Sequence, residues 1–540
     1  MNRPDNPSST IHPFLSAELL TVSRGGKTVL KDLSFSIGRG EHWLLTGAAG
    51  IGKSTLGKGL CGELFLRGDL QIHYDTNGAA SPVAFFVDQW YHFTDHTGLS
   101  SNFYYQQRYN SQDSDSAITV EEELNKVAAG RNASVDRNVA AGGSVAVDQN
   151  AAASAATASA ASEASSRVQE LLAALALEHR AGASLVQLSS GEHKKLQLAK
   201  AFLSEPAFLV LDNPYVGLDA ATCLSLDKLF ESLALKGTQL IIIGDDHTLP
   251  PVITHVATLF TDRIDIVPRG AYSLCHDGVS SLPVAAPAMP AYLGDMAGED
   301  HLFSDAVRME NVHVQYEDKV ILDQIDWTVH KGQRWWVKGH NGAGKSTLLS
   351  LIVGDNPQAY ANKIYLFDKR RGSGESIWDI KRKIGYISPE LHWYFDQQTT
   401  CEDAIATGFF DTTGLYRSIS AGQSVMVGQW MEVFELTPFR GQRIQDLSIG
   451  RQRMTLLARA LVKNPPVLIL DEPCQGLDDR QAAHFLGIVD RIMEHSSRTL
   501  LYVSHRTDQL PSCISHVLAL EGGKQIKDHS FNHTPLTVQL

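Results

Sequence analysis

The sequence predicts an α/β fold laid down twice, each copy a parallel or mixed sheet with helices beside it. Three observations predict it. A glycine-rich loop, Gly339 to Thr347 (G-H-N-G-A-G-K-S-T), follows the apolar run Trp335, Trp336, Val337 and opens a helical pattern at Leu348, Leu349 and Leu351. A second such loop, Gly47 to Thr55 (G-A-A-G-I-G-K-S-T), lies 292 residues earlier. In each half a proline-led apolar strand then ends in aspartate, at Asp212 and Asp471, as expected of fully buried parallel strands.

The loops have the G-x-x-x-x-G-K-[ST] spacing that lets backbone N–H groups converge on a phosphate at a helix N-terminus. In the second copy Gly339, Asn341, Gly342 and Gly344 shape the cradle and Lys345 can reach the β- and γ-phosphates. Ser346 and Thr347 open the helix, with the Ser346 hydroxyl a ligand for Mg²⁺. Gly47, Gly50, Gly52, Lys53, Ser54 and Thr55 take the same places in the first copy, with Ser54 toward the metal. ATP and Mg²⁺ are the expected cofactors. The 292-residue offset also aligns E-H-W-L-L-T-G (Glu41 to Gly47) with Q-R-W-W-V-K-G (Gln333 to Gly339), so the chain is a duplication.

Downstream, each half has an L-S-x-G element before a helical pattern, Leu188 to Gly191 and Leu447 to Gly450. After the aspartate strand comes G-L-D, then another apolar strand leading to His247 in the first half and His505 in the second. The first half is longer because of a stretch from about Ala128 to Ser166 dominated by Ala, Ser, Asn and Gly, which reads as a disordered surface insertion, with an alanine-rich helix docking a partner as the alternative. The expected organisation is a tail (1–13), a first domain (14–271), a Pro/Gly/Ala/Ser-rich linker (272–305), a second domain (306–530) and a tail (531–540).

A length of 540 residues allows three or four domains, and the duplication selects two. The formal charge of −13 lacks the basic footprint of a nucleic-acid binder. The basic clusters Lys369, Arg370, Arg371 and Lys381, Arg382, Lys383 read as solvated faces. Six scattered cysteines with no C-x-x-C pair indicate neither a zinc site nor a disulfide framework, which suits a reducing cytoplasm. No apolar stretch approaches the roughly 18 residues needed to span a bilayer, so any membrane role is expected from outside the lipid.

Phosphate loop, L-S-x-G, aspartate strand and histidine strand, in that order and twice over, resemble the ATP-binding-cassette ATPases across nearly the whole chain. Trp43 and Trp335 before the loops, the run I-S-P-E-L-H (Ile387 to His392), and a fused pair without membrane spans are similar to ModF-type, molybdate-transport-associated ATP-binding proteins. The resemblance implies two P-loop NTPase domains, each a sheet core with a helical subdomain. These would pair within the chain as a head-to-tail sandwich in which each L-S-x-G element completes the opposite ATP site.

In the second half Asp471 would hold the Mg²⁺ shell, Glu472 would orient or deprotonate the attacking water, His505 would contact the γ-phosphate, and Tyr316 matches the position that stacks on adenine. Glu390 stands where the family has glutamine. In the first half Asp212, Gln89 and His247 take the matching roles, but Asn213 replaces the glutamate, and an amide cannot accept a proton at neutral pH. Arg24 aligns with Tyr316. One site therefore combines Lys345, Asp471, Glu472 and His505 with Ser189 and Gly191. The other combines Lys53, Asp212, Asn213 and His247 with Ser448 and Gly450, where Ile449 replaces a glycine.

Hydrolysis at the first of these and retention at the second is the expectation. By resemblance the chain would drive a membrane importer, of molybdate, with separate permease subunits. It would then sit in the cytoplasm, peripheral on the inner membrane's cytoplasmic face. The alternative is a soluble regulatory or ribosome-acting ATPase; the charge of −13 and the lack of a long charged helical linker speak against it.

Overall fold

The computed structural model describes residues 13–24, 27–48, 50–74, 84–89, 118–128, 164–185, 188–218, 220–244, 249–272, 302–316 and 319–526. The chain divides into two compact units, with described residues 13–272 in one and 302–526 in the other.

The first unit runs β1 (Leu15–Arg24), β2 (Lys27–Ile37), β3 (Trp43–Thr46), α1 (Lys53–Leu60), β4 (Leu66–Ile72), β5 (Ala84–Val87), α2 (Ser190–Ser204), β6 (Phe208–Asp212), α3 (Ala220–Leu235), β7 (Gln239–Ile243), β8 (His255–Leu259) and β9 (Ile264–Pro268). The second repeats it. It has β10 (Asp305–Tyr316), β11 (Lys319–His330), β12 (Arg334–Lys338), α4 (Lys345–Val353), β13 (Lys363–Leu366), β14 (Lys369–Arg370), α5 (Ile377–Lys383), β15 (Ile384–Ile387) and α6 (Pro389–Tyr394). After these come α7 (Cys401–Ala406), α8 (Ala421–Val433), α9 (Ile449–Leu461), β16 (Val467–Asp471), α10 (Asp479–Glu494), β17 (Thr499–Val503), β18 (His516–Glu521) and β19 (Lys524–Ile526).

Each unit has a six-stranded sheet, ordered β5-β6-β7-β3-β8-β9 in the first and β15-β16-β17-β12-β18-β19 in the second. Five strands are parallel and the last pairs antiparallel, the mixed sheet expected. Parallel strands are covered on both faces, which is why F-L-V-L-D and V-L-I-L-D are buried along their whole length. A smaller antiparallel sheet accompanies each, β2-β1-β4 and β11-β10-β13-β14.

Two hydrophobic layers sandwich the second unit's main sheet. One lies under the antiparallel sheet and α4, with Val307, Val329, Leu348 and Ile352; the other gathers α7, α8, α9 and α10 around Trp430, Phe485 and Leu457. The period of two along β12 divides its tryptophans between them. Trp336 enters the helical layer and gives its indole N–H to Ser504 O at 2.9 Å. Trp335 borders the other layer and stacks on His516 with ring centroids 4.9 Å apart. Trp43 is buried in the first unit's core.

One surface assignment fails. Lys369, Arg370 and Arg382 are exposed, but Arg371 is 4% exposed. Glu375 lies 2.6 Å from its guanidinium and Tyr360 lies beneath it with 4.9 Å from Cζ to the ring centroid, so a carboxylate and an aromatic face replace water. The Ala/Ser-rich insertion falls outside the described residues for 129–163, while its flanks at 120–128 and 164–174 are helical. Most of the proposed linker, 273–301, also lies outside them. Among the described residues no helix is long and apolar enough to cross a membrane.

Candidate functional site

The second unit's phosphate loop joins β12 to α4, and its glycines are dictated by geometry. Gly344 caps α4 at φ +97°, and a Cβ there would lie 2.7 Å from Leu322 Cδ2. Gly339 approaches the neighbouring strand so closely that a Cβ would meet Leu520 O at 2.6 Å. Across the loop, Lys345 donates to Gly339 O at 2.6 Å and His340 O at 3.1 Å. Burial lowers its pKa, and the carboxylates of Glu472 and Asp471 oppose that shift. Asn341, Gly342 and Ser346 are exposed on the same loop and Thr347 is half-buried.

Asp471 ends β16, nearly buried, and Glu472 follows in left-handed backbone at φ +45°. A glutamate is costly there, and such strain is kept where surrounding structure enforces it, commonly at functional sites. The enforcing contact is the Glu472 N–H, which donates to Val503 O at 3.0 Å. Because β16 and β17 are parallel neighbours, with Asp471 opposite Val503, residues just past both strands meet. His505 thus places Nδ1 3.0 Å from both carboxylate oxygens of Glu472. That hydrogen bond raises the His505 pKa, against burial and the nearby Lys345 and Arg506 cations. Lys345, Asp471, Glu472 and His505 therefore gather at the carboxyl edge of the sheet, the usual crevice of such folds.

The first unit repeats the scaffold with different chemistry. Gly47 and Gly52 are again fixed by close approach, and Lys53 donates to Gly47 O at 2.5 Å and Ala48 O at 3.3 Å. Gly50 takes φ +74° in the same loop, and Thr55 is buried behind it. Asp212, buried at the end of β6, accepts a hydrogen bond from the Ser54 hydroxyl. These two hard oxygens fit Mg²⁺, and Ser346 and Asp471 hold the corresponding positions in the second unit. Asn213 sits at φ +44°, a conformation asparagine tolerates better than glutamate. Its Nδ2 lies 3.2 Å from Asp212 Oδ1 and 3.2 Å from Gln89 Oε1. His247, the remaining member predicted for this site, lies outside the described residues, as does the side chain of Arg24.

The ABC transporter family profile matches residues 30–216 and 322–475, one stretch in each unit and each containing a phosphate loop and its aspartate strand. The chain belongs to the ABC transporter family. It resembles the ABC transporter ATP-binding protein ModF of Escherichia coli (strain K12), 37% identical over 349 residues, which are 61% of this chain and 69% of that protein. An uncharacterized ABC transporter ATP-binding protein of Schizosaccharomyces pombe is 28% identical over 504 residues, 92% of this chain and 96% of its own length. One of Saccharomyces cerevisiae is 25% identical over 375 residues, 62% of this chain and 69% of that protein. This is a tandem ABC ATPase, which binds ATP and hydrolyses it to ADP and phosphate.

Other predicted residues of the ABC ATPase are placed as follows. Tyr316 ends β10, half-buried, with its hydroxyl 2.8 Å from Asn356 Nδ2. Ser189 caps α2 in the first unit, with Gly191 in the first turn; Ser448 caps α9 in the second. Gly450 packs beneath Gln481, whose Nε2 a Cβ would meet at 2.6 Å. Pro389 starts a helical turn. Ser388 caps it by accepting from Leu391 N at 3.0 Å, and Glu390 is buried in its first turn.

Three charged groups had no place in the sequence reading. Glu192 accepts from the Ser189 N–H at 2.8 Å and its hydroxyl at 2.9 Å, and binds Arg180 at 2.8 Å. The signal was present, since Ser189-x-x-Glu192 is a capping-box pattern. Lys194 on α2 is buried and donates to Asp88 O at 2.7 Å, Gln89 O at 3.3 Å and Asp212 O at 3.2 Å. Burial pulls its pKa down to about 8, with Asp212 and Asp88 opposing. Arg453 on α9 stands at the same step, five residues after the capping serine. Fully buried, it donates to Gln475 O at 3.3 Å, and burial draws its pKa down to about 10 against Cys474, Glu390 and Glu472. Both L-S-x-G helices thus carry a buried cation at the same step, Lys194 reaching carbonyls at the ends of β5 and β6 and Arg453 a carbonyl four residues past β16.

Proposed function

We propose that this ABC ATPase works through two unequal nucleotide sites, one that hydrolyses ATP and one that retains it. The observation that carries the reading is the contrast at one matched position. Glu472 presents both carboxylate oxygens to His505 at 3.0 Å, whereas Asn213 presents an amide to Gln89 and Asp212. A carboxylate braced by a histidine can take a proton from water, and an amide cannot. Lys345 binds the terminal phosphates, Ser346 and Asp471 hold Mg²⁺, Glu472 activates water and His505 orients the γ-phosphate. In the first half Lys53, Ser54, Thr55, Asp212, Gln89 and His247 bind without turnover.

Closure of domain 14–271 on domain 306–530 completes each site. Ser189 and Gly191 complete the hydrolytic one, and Ser448 and Gly450 the retentive one. Tyr316 packs against adenine. The cycle of closure and release drives integral membrane permease subunits from the cytoplasmic face of the membrane. The likeness to ModF-type proteins supports a molybdate-related transport system as the one served.

Steady-state ATPase assays of Lys345→Ala, Glu472→Gln and Lys53→Ala test the unequal sites. The first two should fall at least about 100-fold, the range of general-base catalysis, and Lys53→Ala by much less. Equal, near-complete loss in all three would sink the reading.

A further inference from the structure

We propose that Arg453 is a positioning residue for hydrolysis: from the L-S-x-G helix of its own unit it holds the turn that follows Glu472, and so fixes where the catalytic carboxylate points. The inference rests on the reading of Glu472 as the base, and deepens it.

Glu472 opens a tight turn. The Gln475 N–H donates back to Glu472 O at 3.1 Å, with Pro473 at the second position, where its fixed φ suits a β-turn. The sheet fixes the entry to this turn, since the Glu472 N–H donates to Val503 O at 3.0 Å. Its exit is where Arg453 acts, donating from Nη2 to Gln475 O at 3.3 Å. The left-handed backbone at Glu472, φ +45°, is thereby held on both sides. Between the two holds, Cys474 Sγ lies 3.6 Å from the Tyr502 hydroxyl, which donates to Gln509 O at 2.9 Å. A guanidinium suits the task, because one nitrogen of its rigid fork serves the carbonyl while its charge stands near the carboxylates of Glu390 and Glu472.

The first unit supplies the contrast. One offset, 259 residues, carries Lys194 to Arg453, Asn213 to Glu472 and Val216 to Gln475. The turn itself is kept, with the Val216 N–H donating to Asn213 O at 3.3 Å. The buried cation instead serves strand ends, donating to Asp88 O, Gln89 O and Asp212 O. A cation needed merely to offset carbonyl dipoles at the sheet would choose the same acceptors in both units. The unit whose turn carries a carboxylate directs its cation to that turn, and the unit whose turn carries an amide directs it to the strand ends.

The test is a double-mutant cycle on the full chain, read as kcat and KM for ATP. Arg453→Lys keeps the charge and loses the fork. Its kcat should fall about tenfold or more, a part of what a general base supplies, with KM moved by less than about twofold. In the Glu472→Gln background, with rates taken from single-turnover phosphate release, the same change should cost less than about twofold, because the group it positions is gone. Arg453→Gln, which removes the buried charge, should repeat the pattern, and must if Arg453→Lys folds poorly. A parental kcat in both Arg453 variants overturns the proposal. So does an equal fall with and without the Glu472 carboxylate, which would assign Arg453 to the fold alone. Glu472→Gln retaining the parental kcat would instead defeat the reading of Glu472 as the base, a failure that the Arg453 variants by themselves do not produce.

Discussion

Glu192→Gln isolates a charge whose worth can be worked out before the experiment. In the folded chain Glu192 is 15% exposed on its side chain, accepts both the N–H and the hydroxyl of Ser189, and pairs with Arg180. Burial alone would raise its pKa, but Arg180 and the two serine donors outweigh burial and bring it from 4.5 down to about 2. A depression of that size corresponds to about 3 kcal/mol favouring the folded chain with the group ionised. Because the folded pKa is the lower one, this stability is fully present above about pH 4.5 and is lost as pH falls toward 2.

Glutamine keeps the shape and one acceptor but removes the charge. Urea unfolding of the first unit, followed by hydrogen exchange along α2, should therefore show Glu192→Gln about 3 kcal/mol less stable at pH 7. By pH 4 the gap should close by about 1 kcal/mol, since protonation of the unfolded glutamate begins to favour unfolding only in the parent. A gap unchanged between pH 7 and pH 4 would refute the electrostatic account and leave only lost packing. A gap under about 0.5 kcal/mol at pH 7 would make the Arg180 pair a solvated one of the kind that contributes little.

Three other outcomes follow from the same geometry. Lys194→Met should destabilise the first unit by about 2–3 kcal/mol in urea titrations, because three carbonyl contacts to a cation are lost while the cost of burying the ammonium is recovered. Gly344→Ala should weaken ATP binding at the second loop by about tenfold or more, with its Cβ 2.7 Å from Leu322 at φ +97°. Gly342→Ala, at φ +82° with nothing within 4 Å of its Cβ, should bear only backbone strain of about 1–2 kcal/mol, and a dialysis experiment ranking it worse than Gly344→Ala would contradict the packing argument. His505 should titrate above 6.5 by NMR and return toward 6.5 in Glu472→Gln; its pair with Glu472 contributes stability below pH 6.5 that is lost as pH rises through the folded value.

What the sequence revealed and what it hid divide along a physical line. The phosphate loops were legible because close approach admits only glycine at particular steps, Gly339 against Leu520 O and Gly344 against Leu322, and glycine spacing survives in a bare string of letters. The strands ending at Asp212 and Asp471 were legible because two-sided burial forces an unbroken apolar run. Glu472 and His505 were nominated by the family resemblance at two strand ends, and the parallel pairing of β16 with β17 explains why residues just beyond those ends meet.

Lys194 and Arg453 were not legible, because a cation in a helical pattern looks like a solvated face until the sheet beneath it is known. Their long stems let the charge travel inward to backbone carbonyls, an option that composition and periodicity do not record. Arg371 misled for the same reason, its carboxylate and aromatic partners lying at Glu375 and Tyr360. The duplication itself held a clue, since both cations stand five residues after a capping serine. A charge repeated at the same step in two diverged copies is constrained by something the copies share. What they share here is a backbone carbonyl at or just past the aspartate strand, Asp212 O for Lys194 and Gln475 O for Arg453, that accepts from the buried cation.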